Sequence, residues 1–229
     1  MKKVVILSGA GISAESGIQT YRDSDGLWNQ YDFMELASPQ GWAKHPEVVL
    51  DFYTAQRKIV RIAKPNDAHT YLKKLEEKFD VTVITQNVDD LHEKAGSSNI
   101  VHLHGEIMKA KSVHDDNLVY DLGDKDIKMG DLCEQGYQLR PHVVWYGEMV
   151  PMISEAARIA SSADIFIIIG TALTVYPAAS LIGSVPQEAQ KYIIDKDIPK
   201  ISSYPNLHFI EKPATEGVKE LVLELLNEV

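Results

Sequence analysis

Apolar residues in this chain come in short β-branched runs separated by amphipathic stretches. Val4–Leu7, Val81–Thr85, Ile165–Ile169, Tyr192–Ile194 and His208–Ile210 are predicted to be buried strands. The runs are continuous rather than alternating, the pattern of strands covered on both faces in a parallel sheet. Helical spacing falls between them. Asn66 can cap a helix with Leu72, Leu75 and Phe79 on one face. Ser154–Ser161 is Ala-rich, and a last helix after Thr215 lines up Val218, Leu221, Val222, Leu225, Leu226 and Val229 as a core stripe. This alternation predicts an α/β fold. Two stretches break the rhythm. Residues 27–63 carry Trp28, Tyr31, Phe33, Trp42, Phe52 and Tyr53 with no clear strand, and 107–139 is polar, with turn signals at Asp115–Asn117, Gly123, Gly130 and Gly136. Both are expected to leave the sheet and form a smaller lobe.

Composition narrows the class. A chain of 229 residues that is 45% apolar suits one sizeable core with a smaller attachment. The net charge of -10 argues against nucleic acid or anionic membrane as a partner. The single Cys133 excludes an intrachain disulfide and any zinc site built on a pair of cysteines. The opening Lys2-Lys3 and apolar run resemble a signal peptide, but the run is short and leads straight into Gly9-Ala10-Gly11, so a buried first strand is expected. No run reaches the ~18 apolar residues of a membrane span. The expected compartment is the cytoplasm.

Ser8-Gly9-Ala10-Gly11-Ile12-Ser13-Ala14 follows the first strand directly and fits GxGxx[G/A]. Glycines there let the backbone turn and approach a pyrophosphate, and Ser13 is a candidate cap for the next helix. A nicotinamide dehydrogenase would also need a second strand ending in Asp or Glu about 20 residues on. Trp28-Asn29-Gln30-Tyr31-Asp32 is not strand-like. Nucleotide binding is therefore expected, with the dinucleotide held differently from an ordinary dehydrogenase.

Five blocks carry a resemblance. They are Gly9 to Ile18 followed by Thr20-Tyr21-Arg22; Thr85-Gln86-Asn87-Val88-Asp89-Asp90-Leu91-His92; His102-Leu103-His104-Gly105-Glu106; Arg140-Pro141-His142-Val143-Val144-Trp145-Tyr146-Gly147-Glu148; and Gly170-Thr171-Ala172 with Val175-Tyr176-Pro177-Ala178-Ala179. In this order they resemble the signatures of the sirtuins (Sir2 family), and Ala14-Glu15-Ser16 with the fourth block resembles the bacterial branch that includes desuccinylases. The resemblance implies a Rossmann-type sheet with helices on both faces, formed by 1–26, 64–106 and 142–229. It also implies a small inserted domain from 27–63 and 107–141. NAD and acyl-lysine protein substrates would meet between them, with release of nicotinamide, O-acyl-ADP-ribose and free lysine. A monomer is favoured.

The resemblance assigns roles residue by residue. His104 becomes the general base, since a neutral imidazole near pH 7 suits proton abstraction. His102, two residues earlier, would share a face with it. Asn87 and Asp89 join His104 as catalytic residues. Gln86 and Val88 join them toward the ribose and carboxamide. Gly9, Ala10, Gly11, Ile12, Ser13, Glu15, Tyr21, Arg22 and Trp28 fall in the first cofactor-binding segment. Gly170, Thr171 and Ala172 follow, then Asp195, Lys196, Asp197 and Ala214 toward the adenine end. Tyr53, Gln56, Val143, Val144, Trp145, Tyr146, Gly147 and Glu148 are assigned to the substrate.

Two departures alter the expectation. Most relatives carry four zinc-binding Cys between the second His block and the Trp145 block, where this chain has only Cys133. No metal is expected, and packing alone would hold that lobe, making it the expected mobile region. Desuccinylases of the branch use Tyr-x-x-Arg to hold the acyl carboxylate. Here Gln56 stands in the Arg place and Arg57 comes one residue late, ~100° round a helix. Neutral acyl groups are therefore expected to be preferred, unless Arg57 swings in. An NAD glycohydrolase, a mono-ADP-ribosyltransferase and a non-catalytic NAD or ADP-ribose binding module are the alternatives.

Overall fold

The structure, a computed structural model, describes residues 1–21 and 27–227, apart from the Trp28 side chain. Arg22 and Val229 thus lie outside the described residues, as does the Trp28 side chain. In chain order the elements are β1 (Lys3–Ser8), α1 (Gly11–Ala14), α2 (Leu27–Gln30), α3 (Phe33–Leu36), α4 (Pro39–Lys44), α5 (Pro46–Ile62), α6 (Asp67–Lys74), β2 (Asp80–Thr85), α7 (Leu91–Lys94), β3 (Ile100–His102) and β4 (Gly105–Ser112). Then follow β5 (Val119–Asp121), β6 (Leu139–Val143), α8 (Ile153–Ala160), β7 (Ile165–Ile169), β8 (Gln190–Asp195), β9 (Leu207–Glu211) and α9 (Ala214–Asn227).

Six parallel strands form one sheet in the order β3-β2-β1-β7-β8-β9. The continuous apolar run of β1 is explained by its two covered faces. Val4 and Ile6 pack with Leu72, Val218, Leu221 and Val222 of α6 and α9, whereas Val5 and Leu7 pack with Ala156 and Ala160 of α8 and with Leu181. The expected α/β fold with helices on both faces is what the chain forms.

The other elements differ from the sequence expectations in three places. The His208–Ile210 run is not buried, because β9 ends the sheet order and leaves Phe209 52% exposed. The short β3 extends the other edge and has only three residues, too few to show a period. The polar stretch after residue 107 is largely a second sheet, antiparallel, in the order β5-β4-β6. Its strand β4 buries alternate positions, so polar residues fill half of it. Helix α5 closes this sheet, with Val49, Tyr53 and Val60 packed against Ile107, Val143 and Trp145.

Asn66 caps α6 as expected, and His69 supplies the reciprocal bond of a capping box: the Asn66 N–H lies 3.3 Å from His69 Nδ1. That bond needs the Nδ1 lone pair, hence a neutral ring. His69 is fully buried beside His92, and burial pushes its pKa down to about 4. A depressed histidine stabilises the fold fully above its unfolded pKa, and that contribution fades as pH falls toward the folded value. The expected loss from this one residue is about 2 kcal/mol at pH 5. His69→Gln, which keeps a capping-box side chain, should flatten the stability profile between pH 6.5 and 4 in urea melts. Equal slopes for the two proteins would reject the assignment.

Candidate functional site

The C-terminal ends of β2, β1 and β7 lie side by side, and the loops leaving them are interlocked. The Gly9 N–H donates to Ile169 O and the Gly11 N–H to Gly170 O, both at 2.9 Å. A Cβ on Gly11 would sit 2.6 Å from Gly170 Cα, and one on Gly170, whose φ is +61°, would sit 2.4 Å from Ile12 N. Only glycines permit this approach, which brings two strand-end loops together where the sheet order reverses, the usual ligand edge of open α/β sheets.

Polar side chains complete this edge. The Ser13 hydroxyl donates to Asp89 Oδ2 at 2.9 Å, and Asn87 Nδ2 donates to Gly9 O and Ser13 Oγ, both at 3.2 Å. Ser13 therefore caps nothing: the N-cap of α1 is Ala10, and the buried Ser13 hydroxyl is spent on Asp89. Gln86 Nε2 donates to Thr171 Oγ1 at 3.1 Å, tying the second loop to the Gly170 loop. Burial pushes the Asp89 carboxyl up, against bonds from the Leu91 N–H and Ser13. Tyr21 sits near Asp89 and Tyr146, and burial first, then those groups, raises its phenol pKa.

His104 follows β3. Its Nδ1 lies 3.0 Å from Gln86 O, an acceptor only, so Nδ1 carries the proton and Nε2 keeps a lone pair. Burial lowers its pKa, so the ring is neutral near pH 7. Gly105 turns the chain at φ +81°, where a Cβ would lie 2.2 Å from His142 O. The Val144 N–H donates to His104 O at 2.9 Å, so His104 borders the segment after β6.

That segment is built from inside. Arg140 makes a two-point ion pair with Glu148 at 2.7 and 3.0 Å and lies over the Trp145 ring at 3.4 Å. Glu148 Oε2 accepts from the Trp145 N–H at 2.8 Å, and the indole N–H donates to Tyr53 Oη at 3.1 Å. The side chains of Val143 and Trp145 are therefore core and that of Glu148 is an ion-pair partner; Val144, Tyr146 and Gly147 are more open. Arg140 was missed as a positioning group, although opposite charges bracketing an apolar segment were visible in the sequence. Also missed was Ser8, which donates to Thr85 Oγ1 at 2.8 Å and accepts from buried His92 Nε2 at 2.9 Å.

Not every assigned residue reaches this edge. Glu15 accepts from the backbone N–H and the hydroxyl of Thr215, which engages its carboxylate at the start of α9. The Ile12 and Ala214 side chains are in the core. Val88 packs beside Ile107, and Ile107 N donates to its carbonyl. Asp195, Lys196 and Asp197 lie at the end of β8, with Asp195 Oδ1 accepting from the Asp197 N–H. Ala10 and Ala172 are in the loops after β1 and β7. Arg57 does not swing in. It is 1% exposed and reaches Asp126 at 3.3 Å, Thr54 Oγ1 at 3.2 Å and Ile107 O at 3.4 Å, while Gln56 stays half-buried.

The glycine-interlocked strand-end loops, the Gln86–Asp89 loop, His104 and the Val144 segment bring residues of all five sequence blocks to one end of the sheet. Residues 9–177 match the model of the Sir2 family. The chain belongs to the Sir2 family. A protein from Helicobacter pylori (strain ATCC 700392 / 26695), named NAD-dependent protein deacylase, is 50% identical over 227 residues, covering 99% of each chain. A mutant Sir2 homologue solved with ADP-ribose matches with a TM-score of 0.92 and 39% identity, over 99% of this chain and 93% of that one. A Sir2 protein bound to an acetylated peptide matches with a TM-score of 0.79 and 29% identity, over 96% of this chain and 92% of that one. In this sirtuin the small antiparallel sheet is packed through Leu50, Ala110 and Ile127, and Arg57 and Arg61 both reach Asp126.

Proposed function

We propose that this sirtuin is an NAD-dependent protein-lysine deacylase that removes neutral acyl groups in preference to succinyl. The observation that carries the reading is the His104 tautomer: Nδ1–H bound to Gln86 O leaves Nε2 as a base beside the glycine-lined edge. The edge fits NAD by the chemistry of its residues: Gly9, Gly11 and Gly170 let the two strand-end loops close on each other without side chains, and Ser13, Gln86, Asn87, Asp89 and Thr171 bring donors and acceptors to the same strand ends. When bound, NAD supplies an electrophilic ribose carbon and the hydroxyls that receive the acyl group. Asn87 and Asp89 orient the nicotinamide-ribose end. His104 Nε2 takes a proton from a ribose hydroxyl, and the low basicity caused by burial lets it release that proton again near neutral pH. Val144, Tyr146 and Gly147 hold the substrate main chain and Tyr53 lines the acyl end.

The two lobes are assigned to 1–26, 64–106 and 142–229 for the large and 27–63 with 107–141 for the small. Strands β4 and β6 run across these boundaries, so the lobes share backbone next to His104. Nicotinamide release from an acetyl-lysine peptide with NAD, run with and without peptide, tests the function. Release that needs no peptide would favour an NAD glycohydrolase.

Zinc is not part of this proposal. Cys133 is buried with Sγ 3.6 Å from Ser112 Oγ, and the His114 ring stacks on Tyr137 at 4.1 Å. Among the described residues, the donors grouped within 4.8 Å are those of Glu93, His102 and Glu106, and they already pair with one another or with Lys109. A zinc chelator is expected to leave activity and Tm unchanged, and metal analysis should find well under one zinc per chain. Stoichiometric zinc would overturn this reading of residues 107–139.

A further inference from the structure

His102 and His104 make the same first contact on successive carbonyls. His104 Nδ1 lies 3.0 Å from Gln86 O, and His102 Nδ1 lies 3.0 Å from Asn87 O. Their second nitrogens differ. His102 Nε2 lies 2.7 Å from Glu93 Oε1, whereas His104 Nε2 is the nitrogen left for proton transfer. A carbonyl and a carboxylate both only accept, so two N–H groups are needed to satisfy them. His102 therefore fits as the imidazolium, two residues from a histidine that fits as the neutral base.

We propose that His102, held as the imidazolium between Asn87 O and Glu93, is a positioning residue that fixes the Gln86–Asp89 loop for catalysis. Gln86, Asn87 and Asp89 all lie on the short loop between β2 and α7, so a shift of its backbone misplaces all three. The His102 side chain is 10% exposed and that of Glu93 is 40% exposed, so one end of the clamp is shielded and the other is open to solvent. The titratable and charged groups facing His102 are Glu93 on α7, Asp89 on the loop, Glu106 on β4 and His92 on α7, which burial keeps neutral, with Lys109 acting on Glu93 and Glu106. Burial opposes the charged ring, and the bond and charge of Glu93, the Asn87 carbonyl and Glu106 together outweigh it. When pH rises and the ring loses one proton, Glu93 is the stronger acceptor and retains the remaining N–H. Nδ1 then meets the Asn87 carbonyl lone pair to lone pair, and the loop is released.

This rests on Asn87 and His104 acting as proposed above, and three variants read it. In His102→Asn the amide N–H replaces Nδ1–H toward Asn87 O; in His102→Gln the amide reaches toward Glu93 instead. Glu93→Gln keeps an acceptor but removes the charge. His102→Gln is expected to lose roughly tenfold or more in kcat on an acetyl-lysine peptide, with peptide KM and Tm little changed. His102→Asn should recover most of that kcat and lose the alkaline limb of the pH profile. Glu93→Gln should move the limb down by about one pH unit or more. Equal loss of kcat in both His102 variants together with a fall in Tm would overturn the proposal, as would an unmoved limb in Glu93→Gln. A ¹⁵N titration of the His102 ring follows the same ionisation without any turnover. It should show His102 titrating above the ordinary histidine value in the wild type and lower in Glu93→Gln. Titration at or below the ordinary value would reject the clamp, and an inactive wild type would reject the deacylase reading while leaving this measurement intact.

Discussion

His104→Ala is expected to lower deacylation by roughly 10²–10⁴-fold while leaving NAD binding largely intact. Among the described residues the side chain makes one hydrogen bond, Nδ1–H to Gln86 O, which leaves Nε2 for the proton. The contacts that interlock the glycine loops and place Ser13, Asn87 and Asp89 involve no atom of this imidazole. The backbone bond from Val144 N to His104 O also survives the substitution. Binding and chemistry should therefore separate: calorimetry with NAD should give a dissociation constant close to the wild type, and peptide turnover should nearly vanish. Near-normal turnover would mean that another group takes the proton, and the neutral tautomer of His104 would have lost its purpose.

Gln56→Arg is expected to shift the acyl preference toward succinyl-lysine by more than tenfold in the ratio of kcat/KM values. A charge-assisted bond to a shielded carboxylate contributes roughly 1.5–3 kcal/mol, which converts to that ratio. The wild type should prefer acetyl-lysine, because a carboxylate near Tyr53 finds a neutral amide at position 56. The structure removes the obvious escape. The Arg57 guanidinium is tied to Asp126, Thr54 and Ile107 O, and turning it around would leave Asp126 with Arg61 alone and strip a buried cation of its partners. Tyr53 is not a clean probe of the acyl end. Its hydroxyl accepts from the Trp145 indole N–H, so Tyr53→Phe would orphan a buried donor and disturb the substrate segment for every acyl group. A wild type that already prefers succinyl would show that a cation other than Arg57 serves the acyl end.

Much of the large sheet was legible because its signal is local. Four of the six strands declared themselves by continuous apolar runs, β9 was found from a short run that proved exposed, and the helix after Asn66 declared itself by a cap and a stripe. The sixth, β3, is three residues long and carries no period. Strand β4 was read as a polar excursion because half its side chains face solvent in a small two-layer lobe, where Lys109 and Lys111 alternate with Ile107 and Ala110. The motif residues were visible, yet spacing could not separate those that line an edge from those that hold it. Glu15 is bound to Thr215, 200 positions away, and Trp145 to Tyr53, 92 positions away.

The sequence by itself determined the sheet with two covered faces, the glycine-rich turn after β1, the neutral side chain at position 56 and the lack of a cysteine set for zinc. Each is a property of residue type or near-neighbour order. The tertiary structure alone decided the charge states and directions of the polar groups. Two histidines two residues apart are read as opposite because one faces a carboxylate from α7 and the other does not. Arg57 points to Asp126 because that carboxylate comes from a loop 69 residues further on. Electrostatic energy and hydrogen-bond satisfaction depend on distance in space and on exclusion of water, and the one-dimensional order of the chain encodes neither until the fold has closed.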